Sequence, residues 1–113
     1  HFYLTADCRV DRLLELRREI NAIDGVKISV NDLVVKAVAA AFIDVPEANT
    51  TWTDEGMLRH RTADIAIAVS LDDGLVTPVV RGVESLSVTA LSAAIGDLAT
   101  RARSGSLKQH EIE

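Results

Sequence analysis

Apolar residues recur along this chain at helical spacing in three segments, with strand-like segments between them. The first helical segment runs from Val10 to about Ile23, and Gly25 then ends it. The last begins after Ser87, a good N-cap residue, and continues to Gly105 with its apolar residues on one face. Both segments are predicted to be amphipathic helices that pack one side and leave the other in water.

The middle helical segment, from Val30 to Ile43, is almost entirely apolar. We therefore expect this second helix to be buried nearly all round. Ser29 occupies the N-cap position and Asp32 follows it three residues later, which predicts a short-armed capping box. The helix should end at the residue before Pro46, because the proline ring disfavours helical geometry there.

Short segments rich in β-branched and aromatic residues fill the rest of the chain. We predict strands at residues 1–5, 50–53, 57–60, 64–69 and 75–80, with hairpin turns at 54–56 and 72–74. Residues 64–69 have the length and apolar character of a central strand, whereas Pro78 indicates an edge or a bulge. The fold class is therefore α/β, with two layers in which helices cover a mixed, partly antiparallel sheet.

The composition narrows the class of protein. The chain has 113 residues, 48% of them hydrophobic, and no apolar run that would span a bilayer, which fits one folded domain. A net charge of −5 without a basic stripe argues against nucleic acid and anionic membranes as partners. The single cysteine excludes an internal disulfide and favours a reducing compartment, the cytoplasm or the mitochondrial matrix.

Several groups resemble catalytic or metal sites but have simpler interpretations. His60 and Asp64 would lie about 13 Å apart on one strand, too far to act as a base and its orienting carboxylate. Cys8 has no neighbour that would activate its thiol, and we interpret it as a small buried or half-buried residue. Asp72 and Asp73 are interpreted as part of a hairpin turn. The three histidines lack metal-ligand spacing, so we expect no metal site.

Arg17 and Ser29 are more informative. Arg17 lies about 40° from Leu13 on the helical wheel, inside the apolar arc of the first helix. A guanidinium there needs an anionic partner, because burying it unpaired is costly. Two interpretations stay open, an Asp or Glu of this chain and an anionic ligand. Ser29 at a helix N-terminus suits phosphate, although capping alone also explains it.

The chain also resembles a known family in several segments that follow one another in order. The matching segments are His1-Phe2-Tyr3-Leu4-Thr5, Leu14-Glu15-Leu16-Arg17, residues 27–32, Val45-Pro46-Glu47-Ala48-Asn49, Trp52, and residues 67–70 and 74–79. They resemble the catalytic domain of dihydrolipoamide acyltransferases, the core components of 2-oxo acid dehydrogenase complexes. The resemblance implies the fold of chloramphenicol acetyltransferase, assembling as trimers and then as a cubic or icosahedral core.

The resemblance further implies a reaction, the transfer of an acyl group from dihydrolipoamide to coenzyme A. In the family a His-Arg-x-x-Asp-Gly motif supplies the general base. Residues 60–64 imitate that motif, but Ile65 stands where the family has glycine, so no catalytic residue is carried over. The motif belongs to the second half of the family's domain. We therefore expect residues 1–113 to be the amino-terminal half of one catalytic domain, cut from a longer protein and inactive alone.

Positions matching Arg17, Ser29 and Ser70 contact coenzyme A in branched-chain members, although Ser70 replaces an aspartate of some relatives. The implied partners are further copies of the chain, a lipoyl domain carrying lipoamide, and the decarboxylase and dihydrolipoamide dehydrogenase components. Residues 1–5 and 45–49 look closer to pyruvate-type members, while the branched-chain and oxoglutarate types of acyl group stay open. The alternative is a non-catalytic scaffold that supplies surface for the oligomeric core.

Overall fold

The computed structural model describes residues 1–112, which form helices and short antiparallel strands. The α-helices are α1 (Asp11–Asn21), α2 (Val30–Asp44) and α3 (Val88–Ser104). The strands are β1 (Thr50–Thr53), β2 (Gly56–Arg59), β3 (Ile65–Ala66), β4 (Val69–Leu71), β5 (Gly74–Val76) and β6 (Val79–Val80). Single 3-10 turns lie at Pro46–Ala48, Val83–Ser85 and Gln109–Glu111. The α/β class is confirmed.

The helix ends follow the capping residues that the sequence indicates. Ser29 Oγ accepts the Asp32 N–H at 3.0 Å and an Asp32 carboxylate oxygen accepts the Ser29 N–H at 2.8 Å, so the capping box is formed. Ser87 Oγ accepts the N–H of Ala90 at 3.1 Å at the start of α3. Gly105, with φ of 72°, adopts the left-handed conformation that ends α3.

The strands pair in three antiparallel ladders within the described residues, and the predicted central strand at 64–69 is wrong. Residues 65–71 contain two short strands, β3 and β4, which pair with β6 and β5 in one continuous register. Pro78 is the physical reason for the break, because it has no N–H to donate to the ladder. Its carbonyl still accepts the N–H of Ile67 at 2.8 Å. The turn predicted at 72–74 joins β4 to β5.

The core lies where α3 and one face of α2 meet the hairpin made of β3 to β6. Its buried residues are Val35, Ala39, Ala63, Ile67, Val80, Val83, Leu91 and Leu98. Lys36 of α2 donates to the carbonyls of Val83 at 3.2 Å and Glu84 at 3.1 Å, as well as to that of Leu86. The ammonium group therefore ties α2 to the turn before α3.

The prediction that α2 is buried nearly all round is wrong. Leu33, Val35 and Ala39 are buried, but the opposite side, which includes Val34 and Val38, is exposed. The core packs against the side of Val35 and Ala39, whereas Val34 and Val38 are 48% and 39% exposed.

The strand predicted at residues 1–5 is also wrong. Residues 1–10 form neither helix nor strand, and all ten are exposed. A strand needs a ladder partner, and no strand within residues 1–112 pairs with this segment. Cys8 is exposed for the same reason, so its interpretation as a buried or half-buried residue is wrong. Within the described chain, none of the helices combines the length and apolarity needed to cross a membrane.

Candidate functional site

The loop that joins α1 to α2 brings Arg17 and Ser29 to the same cavity. This cavity, which we call the α2 cavity, has a volume of about 260 Å³. It is lined by Arg17, Lys27, Ile28, Ser29, Asp32, Ser92, Ile95 and Gly96. A second cavity of about 420 Å³ shares part of this lining and therefore adjoins it along α3.

Arg17 is half-buried and is held by a backbone group, not by a carboxylate. Its Nε donates to the carbonyl oxygen of Ile28 at 3.3 Å. It forms no ion pair with any residue from 1 to 112. Of the two interpretations from the sequence, the internal ion pair is therefore absent from the described chain. The Nη1 and Nη2 groups have no partner there either, which leaves both as donors for a ligand.

Asn21, one turn beyond Arg17 on α1, holds the same loop. Its Nδ2 donates to the Ile28 carbonyl at 3.0 Å and its Oδ1 accepts the Ile28 N–H at 2.7 Å. From the other side, Ser92 of α3 donates through Oγ to the Lys27 carbonyl at 3.1 Å. The sequence analysis missed Asn21, Lys27 and Ser92. Only the spacing of four residues between Arg17 and Asn21 pointed to a shared helix face.

The α2 cavity has a positive electrostatic balance. Arg17 and Lys27 contribute two cationic side chains, and Asp32 contributes one carboxylate. The Asp32 residue is 4% exposed, and its carboxylate already accepts the Ser29 N–H. The N-terminus of α2 adds a partial positive charge of about half a unit. Ser29 Oγ accepts from Asp32 and keeps its own hydrogen to donate, so the arrangement favours an anion such as phosphate.

Ser70 lies elsewhere in this chain. It is exposed on β4 and lines a cavity of about 330 Å³ between the β4–β5 turn and the end of α3. That cavity also contains Asp72, Asp73 and Arg103, and it shares no lining residue with the α2 cavity. The structure thus brings together Arg17 and Ser29 and does not bring Ser70 to them.

His60 and Asp64 have separate partners. The Nε2 atom of His60 lies 2.6 Å from Thr51 Oγ1 on the neighbouring strand. Asp64 accepts the N–H of Gly82 at 2.8 Å and pairs with Arg81 at 3.6 Å. These two residues therefore do not form a base and its orienting carboxylate. Residues 1–112 contain no cluster of three or more His, Cys, Asp or Glu side chains that would hold a metal ion.

The strongest charge pairing lies at the end of α3. Arg101 donates to Glu111 at 2.7 Å and to Asp97 at 2.8 Å. Hydrogen bonds from Arg101 and from the Lys108 N–H lower the pKa of the Glu111 carboxyl below its usual value. The bonds to Glu111, and then to Asp97, raise the pKa of the Arg101 guanidinium. This pairing fastens residues 108–112 to α3.

The arrangement of α1, α2, α3 and the hairpin recurs in solved enzymes. The structure of the dihydrolipoamide acetyltransferase of Azotobacter vinelandii matches with a TM-score of 0.86 and 31% identity, over 92% of this chain and 45% of that chain. A structure of the cubic core of the pyruvate dehydrogenase multienzyme complex matches with the same TM-score, identity and coverage. The fold is therefore that of the acyltransferase catalytic cores, which is of the chloramphenicol acetyltransferase type.

Residues 1–113 all match the family described as 2-oxoacid dehydrogenases acyltransferase (catalytic domain), and the chain belongs to that family. The dihydrolipoyllysine-residue acetyltransferase component of the mitochondrial pyruvate dehydrogenase complex of Dictyostelium discoideum is 50% identical over the whole chain. The corresponding component of Rhizobium meliloti is 46% identical over the whole chain. The chain spans only 18% and 27% of the lengths of these two relatives. The resemblance inferred from sequence is confirmed.

Proposed function

We propose that the protein containing this chain is the dihydrolipoamide acyltransferase core of a 2-oxo acid dehydrogenase complex. It transfers an acyl group from acyl-dihydrolipoamide to coenzyme A, and the names of the two relatives favour acetyl as that group. Residues 1–113 are then the amino-terminal half of one catalytic domain, which agrees with their cover of 45% of a solved core chain. Its proposed location is a reducing compartment, the cytoplasm or the mitochondrial matrix, and the mitochondrial relative supports the second of these.

This proposal rests on the guanidinium group of Arg17, whose two Nη groups have no partner among residues 1–112 and lie beside the N-terminus of α2. Coenzyme A is rich in phosphate, and a guanidinium with two unpaired Nη groups binds phosphate in a bidentate way. Ser29 adds a hydroxyl donor, and α2 adds its N-terminal dipole. The two adjoining cavities, of about 260 and 420 Å³, provide space of the size that small-molecule sites use.

The role of this chain in the reaction is to bind and orient coenzyme A. Arg17 and Ser29 hold a phosphate group in place, which restricts how the rest of the molecule approaches the acyl donor. Ser70 stays a predicted contact that rests on the family resemblance, because its cavity is separate from the α2 cavity. No catalytic residue is assigned to residues 1–113.

Calorimetric titration of coenzyme A into the full protein that contains this chain tests this proposal. Arg17→Ala is expected to weaken binding by about ten- to a hundredfold, the loss of a hydrogen bond to a charged group. Arg18→Ala is the matched control, because it removes the same charge from an exposed neighbouring position. It should change binding by no more than about twofold. Absence of binding by the wild type, or equal weakening by both substitutions, would contradict the proposal.

The second candidate function is a scaffold that forms the oligomeric core without binding coenzyme A. Apolar side chains that are exposed in the single chain favour it: Phe2, Tyr3, Leu4, Val34, Val38 and Trp52. Under either function we propose that copies of the chain assemble as trimers within a larger core. The other proposed partners are a lipoyl domain, the decarboxylase and dihydrolipoamide dehydrogenase.

Light scattering coupled to size exclusion tests the assembly. We expect poor solubility or oligomers, because these apolar residues favour association. A sharp monomeric peak that melts cooperatively would contradict this expectation. An oligomer with no affinity for coenzyme A would favour the scaffold over the enzyme.

A further inference from the structure

Asn21 makes contacts that neither the family resemblance nor the comparisons assign to a function. Its side-chain amide pairs with both backbone groups of Ile28, as a neighbouring strand would. Ile28 is only 2% exposed, so water cannot easily replace either bond. The next residue is Ser29, which lines the α2 cavity. Asn21 therefore fixes the peptide that leads directly into the proposed ligand site.

Asn21 also shares an acceptor with Arg17. The Ile28 carbonyl receives Nδ2 of Asn21 at 3.0 Å and Nε of Arg17 at 3.3 Å. Because Nε is engaged by this carbonyl, the guanidinium plane is fixed while its two Nη groups stay available. Any rotation of the Ile28 peptide thus moves Arg17 and Ser29 together.

A purely structural role for Asn21 is the competing explanation. Helix α1 has no fully buried residue, and Asn21 helps to attach it to the loop before α2. A structural role predicts a loss of stability with no particular effect on ligand affinity. A positioning role predicts a loss of affinity that depends on Arg17.

We propose that Asn21 is a positioning residue for coenzyme A. It holds the Ile28 peptide so that Arg17 and Ser29 face the same phosphate group. The inference rests on the proposed function of the α2 cavity. It assigns no contact between Asn21 and the ligand. Its effect is transmitted through the Ile28 backbone.

The test measures coenzyme A affinity by calorimetry for the full protein that contains this chain, as the wild type, as Asn21→Ala, and as Arg17→Ala with and without Asn21→Ala. The matched control is Asn49→Ala, which removes an equivalent bond from Nδ2 to the Thr62 carbonyl at 3.0 Å and lies outside the lining of the α2 cavity. We expect Asn21→Ala to weaken binding about tenfold and Asn49→Ala by less than about twofold. In the Arg17→Ala background, Asn21→Ala should add less than about a further threefold.

Hydrogen exchange at the Ile28 amide supplies a second readout. Asn21→Ala should speed this exchange by at least about tenfold, whereas Asn49→Ala should leave it unchanged. Should Asn21→Ala fail to fold, Asn21→Ser replaces it. The serine is neutral, and its shorter side chain cannot make both bonds to the Ile28 backbone. We expect Asn21→Ser to weaken binding as well.

Each outcome separates the two proposals. If the wild type binds and the Asn21 variant binds equally well, the positioning role is refuted and the proposed function stands. Fully additive losses with Arg17→Ala, or a loss of affinity with unchanged Ile28 exchange, also refute the positioning role. If the wild type does not bind coenzyme A, the proposed function fails, and the inference about Asn21 falls with it.

Discussion

Replacing Ser29 with alanine tests how much of its role is capping. The substitution removes the bond from the Asp32 N–H to Ser29 Oγ, at 3.0 Å. It leaves the reciprocal bond from the Ser29 N–H to the Asp32 carboxylate, at 2.8 Å, because that bond uses the backbone. Ser87→Ala at the start of α3 is the matched control, since it removes a single cap bond to the Ala90 N–H at 3.1 Å.

Burial decides the relative size of the two effects. N-cap substitutions cost about 0.5 to 2 kcal/mol. Asp32 is 4% exposed, so its freed N–H is poorly hydrated and we expect about 1.5 kcal/mol for Ser29→Ala. Ala90 is exposed, so water can replace the lost partner and Ser87→Ala should cost about 0.5 kcal/mol. For a folded chain of this length, these costs lower the melting temperature by about 6 °C and about 2 °C.

Urea unfolding followed by circular dichroism measures both free energies. Coenzyme A titration of the same variants then separates capping from ligand binding. Ser29→Ala should weaken binding by about three- to tenfold, the loss of one hydrogen bond, and Ser87→Ala should leave it unchanged. The burial argument is refuted if Ser87→Ala destabilises the chain as much as Ser29→Ala does. Equal affinity of Ser29→Ala and the wild type would show that capping is the whole role of Ser29.

Three further predictions concern the fold. Leu91→Ala should cost about 2 to 5 kcal/mol in urea unfolding because Leu91 is 0% exposed, whereas Leu75→Ala, at a position 63% exposed, should cost less than about 0.5 kcal/mol. Lys36→Met should cost about 1 to 3 kcal/mol in the same assay, because it leaves backbone carbonyls of the turn before α3 without their donor. The pKa of Glu111 is lowered in the folded state by Arg101, so its contribution to stability is present above its unfolded pKa and is lost as the pH falls through the lowered value. Urea midpoints measured between about pH 7 and pH 3 should therefore decline less steeply for Glu111→Gln than for the wild type, and equal slopes would contradict this.

Features set by neighbouring residues could be predicted from the sequence. The capping box at Ser29 and the cap at Ser87 depend on residues three positions apart. Pro46 ends α2 through its own ring, and Gly105 ends α3 through its left-handed conformation. Each of these helix ends depends only on residues a few positions apart, so it could be predicted without knowing the tertiary contacts.

Features that depend on which surfaces meet could not be predicted in the same way. The pattern of α2 is apolar on several sides, and nothing local indicates that the hairpin and α3 cover only the side of Val35 and Ala39. The aromatic and β-branched residues at 1–5 favour a strand, but a strand also requires a partner edge. Asn21 and Ser92 were missed because their bonds to Ile28 and Lys27 depend on the path of the loop.

The two half-buried arginines among residues 1–112 differ in their partners, and this difference supports the proposed ligand role of Arg17. Arg101 lies on α3 and meets two carboxylates, Asp97 and Glu111, so its charge is balanced inside the chain. Arg17 meets a carbonyl that carries no net charge, and the nearby Asp32 carboxylate is already bonded to a backbone N–H. If Arg17 only stabilised the fold, we would expect carboxylate partners beside it, as Arg101 has. The positive charge left over at the α2 cavity is what an anionic ligand would balance.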